Sequence, residues 1–266
     1  WEERLPGVEL IEIGTHLAEI YEEALNQHAR ALAVWEEMLS FEPEHLPALT
    51  ACRRLTVALG AYEQSVQFGG RLRELLSHND LRLYEIARAD ARILGDQLGR
   101  WEEAAKCWEV VLALFPDDSE CLDSLDGIYT AANDVKQLKV LLARKAAMNS
   151  GDSLEALSRL AQLQEQSSSE WEDAVRNYDR ILHAEPKHPT ALDGVIRILK
   201  NQGLWRDVLT RLEARIHLTE SGEDRALWRD AVDAAEKLGD FEVALSVMRN
   251  AAVRCDEVDG IGASII

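Results

Sequence analysis

Cysteine is rare in this sequence. Its four residues, Cys52, Cys107, Cys121 and Cys255, form no Cys-x-x-Cys pair and share no short metal-type spacing. Isolated cysteines behave as small hydrophobes and favour a reducing compartment, here taken as the cytoplasm. Proline (6) and glycine (15) are too few for a collagen-like or low-complexity chain. Aromatic residues make up 6% and β-branched residues are sparse, while Ala, Leu, Glu and Arg dominate, which favours helices over sheets. The longest apolar run, Val110–Phe115, is far too short to cross a membrane. Basic residues are in deficit: 29 Lys and Arg face 48 Asp and Glu, a formal net charge of −19. Such a chain repels nucleic-acid phosphates and anionic lipid.

Motifs that carry chemistry are missing as well. There is no Gly-x-x-x-x-Gly-Lys phosphate loop, no His-Glu-x-x-His and no Gly-x-Ser-x-Gly elbow. No two of the seven histidines are spaced i, i+4. His183 and His188 flank Glu185 and Pro186 in an expected turn, where a solvated loop is the plainer reading than a metal site. Acidic pairs abound (Glu22–Glu23, Glu36–Glu37, Glu102–Glu103, Asp117–Asp118, Glu172–Asp173). General acid/base work needs two carboxylates in different environments of one cleft, whereas these suit helix starts and exposed faces. The expectation is a chain without catalytic residues, metal or cofactor.

What is there is a repeat. With 47% apolar residues and 29% charged, the 266 residues support a sizeable core. The segment GRWEEAAKCWEVVLALFP (99–116) parallels SEWEDAVRNYDRILHAEP (169–186), with looser copies at 26–43 and 239–256. Anchored on the central small residue, seven copies appear, at Ala31, Ser65, Ala104, Leu138, Ala174, Val208 and Ala244, in steps of 34, 39, 34, 36, 34 and 36. Five residues before each anchor stands Asn26, Gly60, Gly99, Asn133, Ser169, Gly203 or Gly239, suited to a turn with left-handed backbone. Three residues before it an aromatic recurs (Tyr62, Trp101, Trp171, Trp205, Phe241), which reads as core together with the anchor and the bulky residue after it. Trp228 reads as core too. Upstream lies a second apolar helical pattern, as in Leu122–Leu125–Tyr129 and Leu192–Val195–Leu199. Each unit thus predicts helix, tight turn, helix. Pro43, Pro116 and Pro186 end the second helix in alternate units, with Ser77, Ser150 and Glu220 in the others.

This pattern resembles the tetratricopeptide repeat, a 34-residue helix–turn–helix unit with a small residue, an aromatic and a proline at set places in its second helix. The likeness covers nearly the whole chain. It is weak in the second, fourth and sixth units, as at Gly69, and the 39-residue step leaves one extra helical turn near 86–99. The resemblance implies an all-α fold, an α-α superhelix: a right-handed solenoid of about seven antiparallel helix pairs. The units fall near 8–43, 44–77, 79–116, 118–150, 152–186, 188–220 and 223–256 of a single array over 1–266. Trp1, Glu2 and Glu3 echo Trp35, Glu36 and Glu37, and the apolar end Gly260–Ile266 lacks a capping helix. The expectation is an excerpt of a longer array, a disordered tail being the alternative for the last seven residues.

In proteins of this family the first helix of each unit lines a groove for a partner peptide. The groove positions fall on Thr50 and Arg54 in the second unit, Tyr84, Arg88 and Arg92 in the third, and Asp193, Arg197 and Lys200 in the sixth. The Lys/Asn/Asn/Lys/Arg set of chaperone-binding members is not reproduced, Thr15 and Glu19 standing in the first unit. Residues 51–100 carry 8 bases against 6 acids, the one net-positive stretch, whereas residues 1–50 carry 2 against 11. Arg54, Tyr84, Arg88 and Arg92 would then form a basic floor for an acidic segment of a partner, since arginine offers forked donors to carboxylates. The alternative is that these arginines pair with nearby acids such as Glu85 and Asp90. The function implied is a non-catalytic protein-interaction scaffold, with self-association through array ends as a further option. Alternatives are an interaction domain of a larger enzyme or signalling protein, and an RNA-processing scaffold of half-a-TPR type, which the acidity disfavours.

Overall fold

The computed structural model describes residues 7–77, 80–148, 153–217 and 224–256, and they are all-α, with no strand among them. The helices group into two compact units, residues 1–134 and 135–266, where the sequence suggests a single array; the division falls inside the expected fourth repeat. The first unit holds α1 (Gly7–Glu19), α2 (His28–Phe41), α3 (Leu46–Ala58), α4 (Tyr62–Leu75), α5 (Leu81–Arg92), α6 (Trp101–Leu114) and α7 (Ser119–Ala131). The second holds α8 (Val135–Ala147), α9 (Ser153–Glu165), α10 (Trp171–Ala184), α11 (Pro189–Asn201), α12 (Trp205–Ile216), α13 (Asp224–Leu238) and α14 (Phe241–Asp256). Within each unit a helix packs on the one before and the one after it, from α1 to α7 and from α8 to α14. Trp1, Glu2, Glu3, Ser150, Glu220 and 260–266, all invoked from sequence, lie outside the described residues.

The turns form where the sequence places them. Six of the seven turn positions have left-handed backbone: Asn26, Gly60, Gly99, Asn133, Gly203 and Gly239, with φ between 51° and 74°. Glycine and asparagine adopt this conformation at least cost. Ser169 does not adopt it, and α9 and α10 are joined instead by a longer turn over 166–170. After Gly60, Asn133 and Gly203 the next N–H reaches back five residues, from Ala61 to Thr56, Asp134 to Tyr129 and Leu204 to Leu199, at 2.8 to 3.0 Å. After Asn26 and Gly99 it reaches back six, from Gln27 to Tyr21 and from Arg100 to Leu94, both 2.7 Å. The extra residue is taken up by a π turn that continues α1 over Ile20–Ala24 and α5 over Ile93–Gln97. The second of these is where the 39-residue step puts its surplus.

Prolines punctuate as expected. α2, α6 and α10 end two residues before Pro43, Pro116 and Pro186, and the residue between (Glu42, Phe115, Glu185) is driven out of the helical region, to φ near −130° and ψ near 88°. Two residues beyond each proline the next helix is capped: Asp118 accepts from the Cys121 N–H at 2.8 Å, and His45 and His188 accept through Nδ1 from Ala48 and Ala191 at 3.2 Å. His188 is therefore a helix cap.

The core follows the anchors. All seven anchor residues are buried, Leu138 and Val208 included, with Trp35, Trp108, Tyr178, Tyr129 and Trp228 around them. Cys52, Cys107 and Cys121 are buried as well, and Cys121 donates its thiol to the Trp108 carbonyl at 3.0 Å. Burial pushes the Cys52 thiol up to about 12. The recurrent aromatic three residues before the anchor does not join this core: Trp101 is 53% and Phe241 78% exposed, and Tyr62, Trp171 and Trp205 are only partly buried. Each is the first residue of its helix. Helical side chains lean toward the N-terminus, so here they point past the end of the packed face.

Helices approach closely where glycine permits. A methyl group at Gly194 on α11 would stand 2.5 Å from the ring of Tyr178 on α10, a fully buried residue. Gly194→Ala should therefore cost about 1–3 kcal/mol through overpacking, read as a lower urea midpoint at unchanged slope. Equal midpoints would show that the ring has room to move.

Candidate functional site

The groove residues named from sequence all lie on first helices of the hairpins, and most are tied to carboxylates of the adjacent first helix. Arg54 on α3 makes a two-pronged pair with Glu22 in the π turn after α1, one prong at 2.9 Å. Arg88 on α5 donates through Nε to Glu120 on α7 at 2.9 Å, and Arg92 one turn on engages both oxygens of the same carboxylate. Tyr84 donates its hydroxyl to Asp118 at 2.7 Å and receives Arg88 Nη1 at 2.7 Å. Its ring meets Phe115 edge-on, centroids 4.3 Å apart, while the Arg88 guanidinium lies 5.6 Å from its centre. In the second unit Arg197 on α11 pairs with Glu165 on α9, and Lys200 with Asp230 on α13 at 2.6 Å.

So each cation on this face has a partner, and the partner is not Glu85 or Asp90. Three of the pairs, Glu22–Arg54, Arg88–Glu120 and Glu165–Arg197, span 32 residues, two short of the 34-residue step. That signal was readable: a base on one first helix with an acid 32 positions before or after it, on a neighbouring one. The structure brings Tyr84, Arg88 and Arg92 together against Asp118 and Glu120. It keeps Arg54 with its own glutamate, and it places Thr50 on α3 with its hydroxyl donated to the Leu46 carbonyl at 2.8 Å. Asp193, Arg197, Lys200 and Asp230 line a pocket of about 310 Å3.

These pairs stay open to solvent. Side-chain exposure is 61% for Arg54, 50% for Arg92 and 55% for Arg197. Glu165 holds Arg197 by Nε and Nη2, and Glu120 holds Arg92 by the same two nitrogens, so Nη1 of Arg92 is left for a further acceptor. Arginine beside Glu22 and Glu120 holds both carboxyls below the usual glutamate range, mainly by hydrogen bonding, while Asp118 pushes the Tyr84 hydroxyl up.

Sequence reasoning missed one ionic group altogether. Asp90 on α5 is fully buried, and it is held by Arg53 from α3 (Nε at 3.1 Å, Nη2 at 2.7 Å) and by Arg73 from α4. Gly69 makes the space, since a methyl group there would overlap the Asp90 carboxylate. The glycine that breaks the repeat pattern thus admits an ion triad that ties three helices. Burial raises the Asp90 carboxyl, against the pull of both guanidiniums. Among the described residues no group of three or more His, Cys, Asp or Glu is arranged to hold a metal, and no helix is long and apolar enough to cross a membrane.

No protein-family model matches the chain, and no curated protein does. Among solved structures, that of Naa15/Naa10 bound to HypK-THB aligns over 93% of this chain and 36% of its own, at 17% identity and TM-score 0.52. The chain thus spans about a third of that protein's length. A tetratricopeptide repeat protein from Parabacteroides merdae aligns over 93% of each chain, at 13% identity and TM-score 0.38. YrrB, described as a tetratricopeptide protein with an unusual peptide-binding site, aligns over 81% of this chain and 97% of its own, at 13% identity and TM-score 0.38. Of these, the likeness to the Naa15/Naa10 structure, at TM-score 0.52 and 17% identity, speaks for the fold alone: helices stacked each on the next.

Two outcomes follow from the ionic groups. Asp90→Ala strands two guanidiniums and should cost about 3–5 kcal/mol in urea unfolding, whereas Glu120→Gln should cost under about 1 kcal/mol. Comparable losses would contradict the division into buried and exposed pairs. Since Glu22 and Glu120 titrate lower when folded, their contribution is complete above the unfolded value of about 4.3 and is lost as pH falls through the folded one. The thermal midpoint should drop on acidification below about pH 4.3, and less steeply in Glu22→Gln/Glu120→Gln; parallel curves would refute the assignment.

Proposed function

We propose that this chain is a non-catalytic scaffold that seats a segment of a partner protein on the first-helix face of its hairpins. The observation that carries the reading is the set of exposed guanidiniums, Arg54, Arg92 and Arg197, each held by a carboxylate of the chain itself. Surface ion pairs of this kind contribute roughly 0–1 kcal/mol, so an incoming carboxylate displaces or supplements one at little cost. Acidic side chains of the partner would meet Arg54, Arg88 and Arg92 in the first unit, and Arg197 and Lys200 in the second, with Tyr84 adding ring surface. The solved structure of similar fold that contains HypK is in keeping with this use of stacked hairpins. Buried thiols at Cys52, Cys107 and Cys121 suit a reducing, cytoplasmic setting.

A second reading has its own observation. Ile13, Leu17 and Ile20 expose an apolar stripe along α1 and its π turn, on which a second copy of the chain would stack.

A fluorescent peptide rich in Glu, Asp and Leu tests the first reading against its Lys-for-acid counterpart. Binding of the acidic peptide should weaken at least about tenfold in Arg54→Glu/Arg88→Glu at unchanged helicity, and more so with added salt. Glu120→Gln, which frees Arg88 and Arg92, should tighten it. No preference for the acidic peptide would end the proposal, and a monomer–dimer equilibrium in sedimentation would favour the second copy instead.

A further inference from the structure

A pocket of about 850 Å3 opens in the first unit between the π turn after α5, the start of α6 and the length of α7. Its walls carry several small residues beside Trp108, Asp123, Ser124 and Ile128. Gly95, Gly99 and Ala91 line one side, and Gly127, Ala131 and Ala132 the other. A methyl group on Gly127 would meet nothing within 4 Å. At the mouth stands Trp101, half-exposed, its ring resting against Gly95. Asp96 and Glu102 line the same opening, beside the Arg92–Glu120 and Arg100–Glu103 pairs.

The chain itself shows what such a tryptophan receives. Trp205 begins α12 as Trp101 begins α6, each three residues before its anchor. Over the Trp205 ring lies the ammonium of Lys237 from α13, 4.8 Å from its centre, and Lys237 is held in turn by Asp233 at 2.7 Å. Lys237 and Asp233 stand seven and eleven residues before the anchor Ala244; seven and eleven before the anchor Leu138 stand Ala131 and Gly127. Where α13 supplies a cation and its counter-ion, α7 supplies a methyl group and a hydrogen atom. The missing side chains open the wall, and they leave the Trp101 ring without the cation that its counterpart has.

We propose that this pocket takes an arginine or lysine side chain of a partner peptide, its charged head on the Trp101 indole and its stem along the Gly127–Ala131 wall. The indole face attracts a cation, and arginine stacks on it best. Asp96 and Glu102, whose side chains make no ion pair or hydrogen bond among the described residues, supply the negative charge that Asp233 supplies in the second unit. The inference deepens the scaffold reading and rests on it: a partner with acidic residues along the first-helix face would add one basic anchor here.

Fluorescence polarisation with a labelled peptide acetyl-Gly-Leu-Arg-Leu-Gly-amide, beside its citrulline and glutamate counterparts, tests it. The arginine peptide should bind wild type at least about tenfold more tightly than either counterpart. Trp101→Ala, an exposed change, should remove that preference, and Asp96→Asn/Glu102→Gln should reduce it. Gly127→Asp/Ala131→Lys should rebuild the Lys237 arrangement, fold as wild type and no longer bind the peptide. Equal binding of the three peptides, or an arginine preference retained in Trp101→Ala and in Gly127→Asp/Ala131→Lys, would overturn the proposal. A wild type that shows no arginine preference yet still binds the acidic probe through Arg54 and Arg88 would sink this pocket and leave the scaffold standing.

Discussion

Apolar surface that no single helix pair can bury governs this fold. The second helices present an anchor and a bulky residue four positions on, as in Ala31–Trp35, Ala104–Trp108 and Ala174–Tyr178, and all six are buried only because further helices pack on both sides. α1 shows the converse. It packs on α2, and along its other face Ile13, Leu17 and Ile20 remain exposed. On α11, which packs on helices both before and after it, the apolar residues Leu192, Val195, Ile196 and Leu199 are all buried. Turns, caps and charges act within this requirement, because they set how each helix is offered to the next.

What the sequence discloses tracks how local the determinant is. Left-handed turns at Gly and Asn, proline stops and the small anchors are decided within a few residues, and they read off correctly, even at Leu138 and Val208 where the landmark is poor. Ser169 fails because a serine gains nothing from positive φ, so the chain takes a longer turn instead. The first-turn aromatics mislead because periodicity assigns a face and not a depth along the axis: Trp101 shares the stripe of Trp108 yet lies at the helix end. The buried triad was invisible because Asp90, Arg53 and Arg73 sit in three helices, and only the missing side chain of Gly69 hints at it.

Charge shows the same limit. From composition, residues 51–100 form the one positive stretch in an acidic chain, and a free basic floor is the natural reading. In space, each arginine of that floor faces a carboxylate drawn from the acidic stretches before and after it: Glu22 from the first fifty residues, Asp118 and Glu120 from beyond residue 100. Stretches separate in sequence are adjacent across the stack. The acidity of the flanks and the basicity of the middle are two halves of one set of contacts.

Two classes of ion pair result, and energy separates their roles. Asp90 is fully buried between two arginines that are themselves mostly buried, so they cannot be removed without leaving its charge unpaired; the group fixes how α3, α4 and α5 meet. The pairs on the first-helix face are wet and exchangeable, so they hold little stability and much potential for recognition. The α5 helix carries both: Asp90 faces inward, while Arg88 and Arg92 face Glu120, and the π turn that follows sets Gly95 beneath Trp101. A helix lengthened by one turn, anchored on one side by a buried carboxylate, is thereby free to depart from the repeat on its other side. That departure, together with Gly127 and Ala131 on α7, is what distinguishes this pocket from the place where Lys237 covers Trp205.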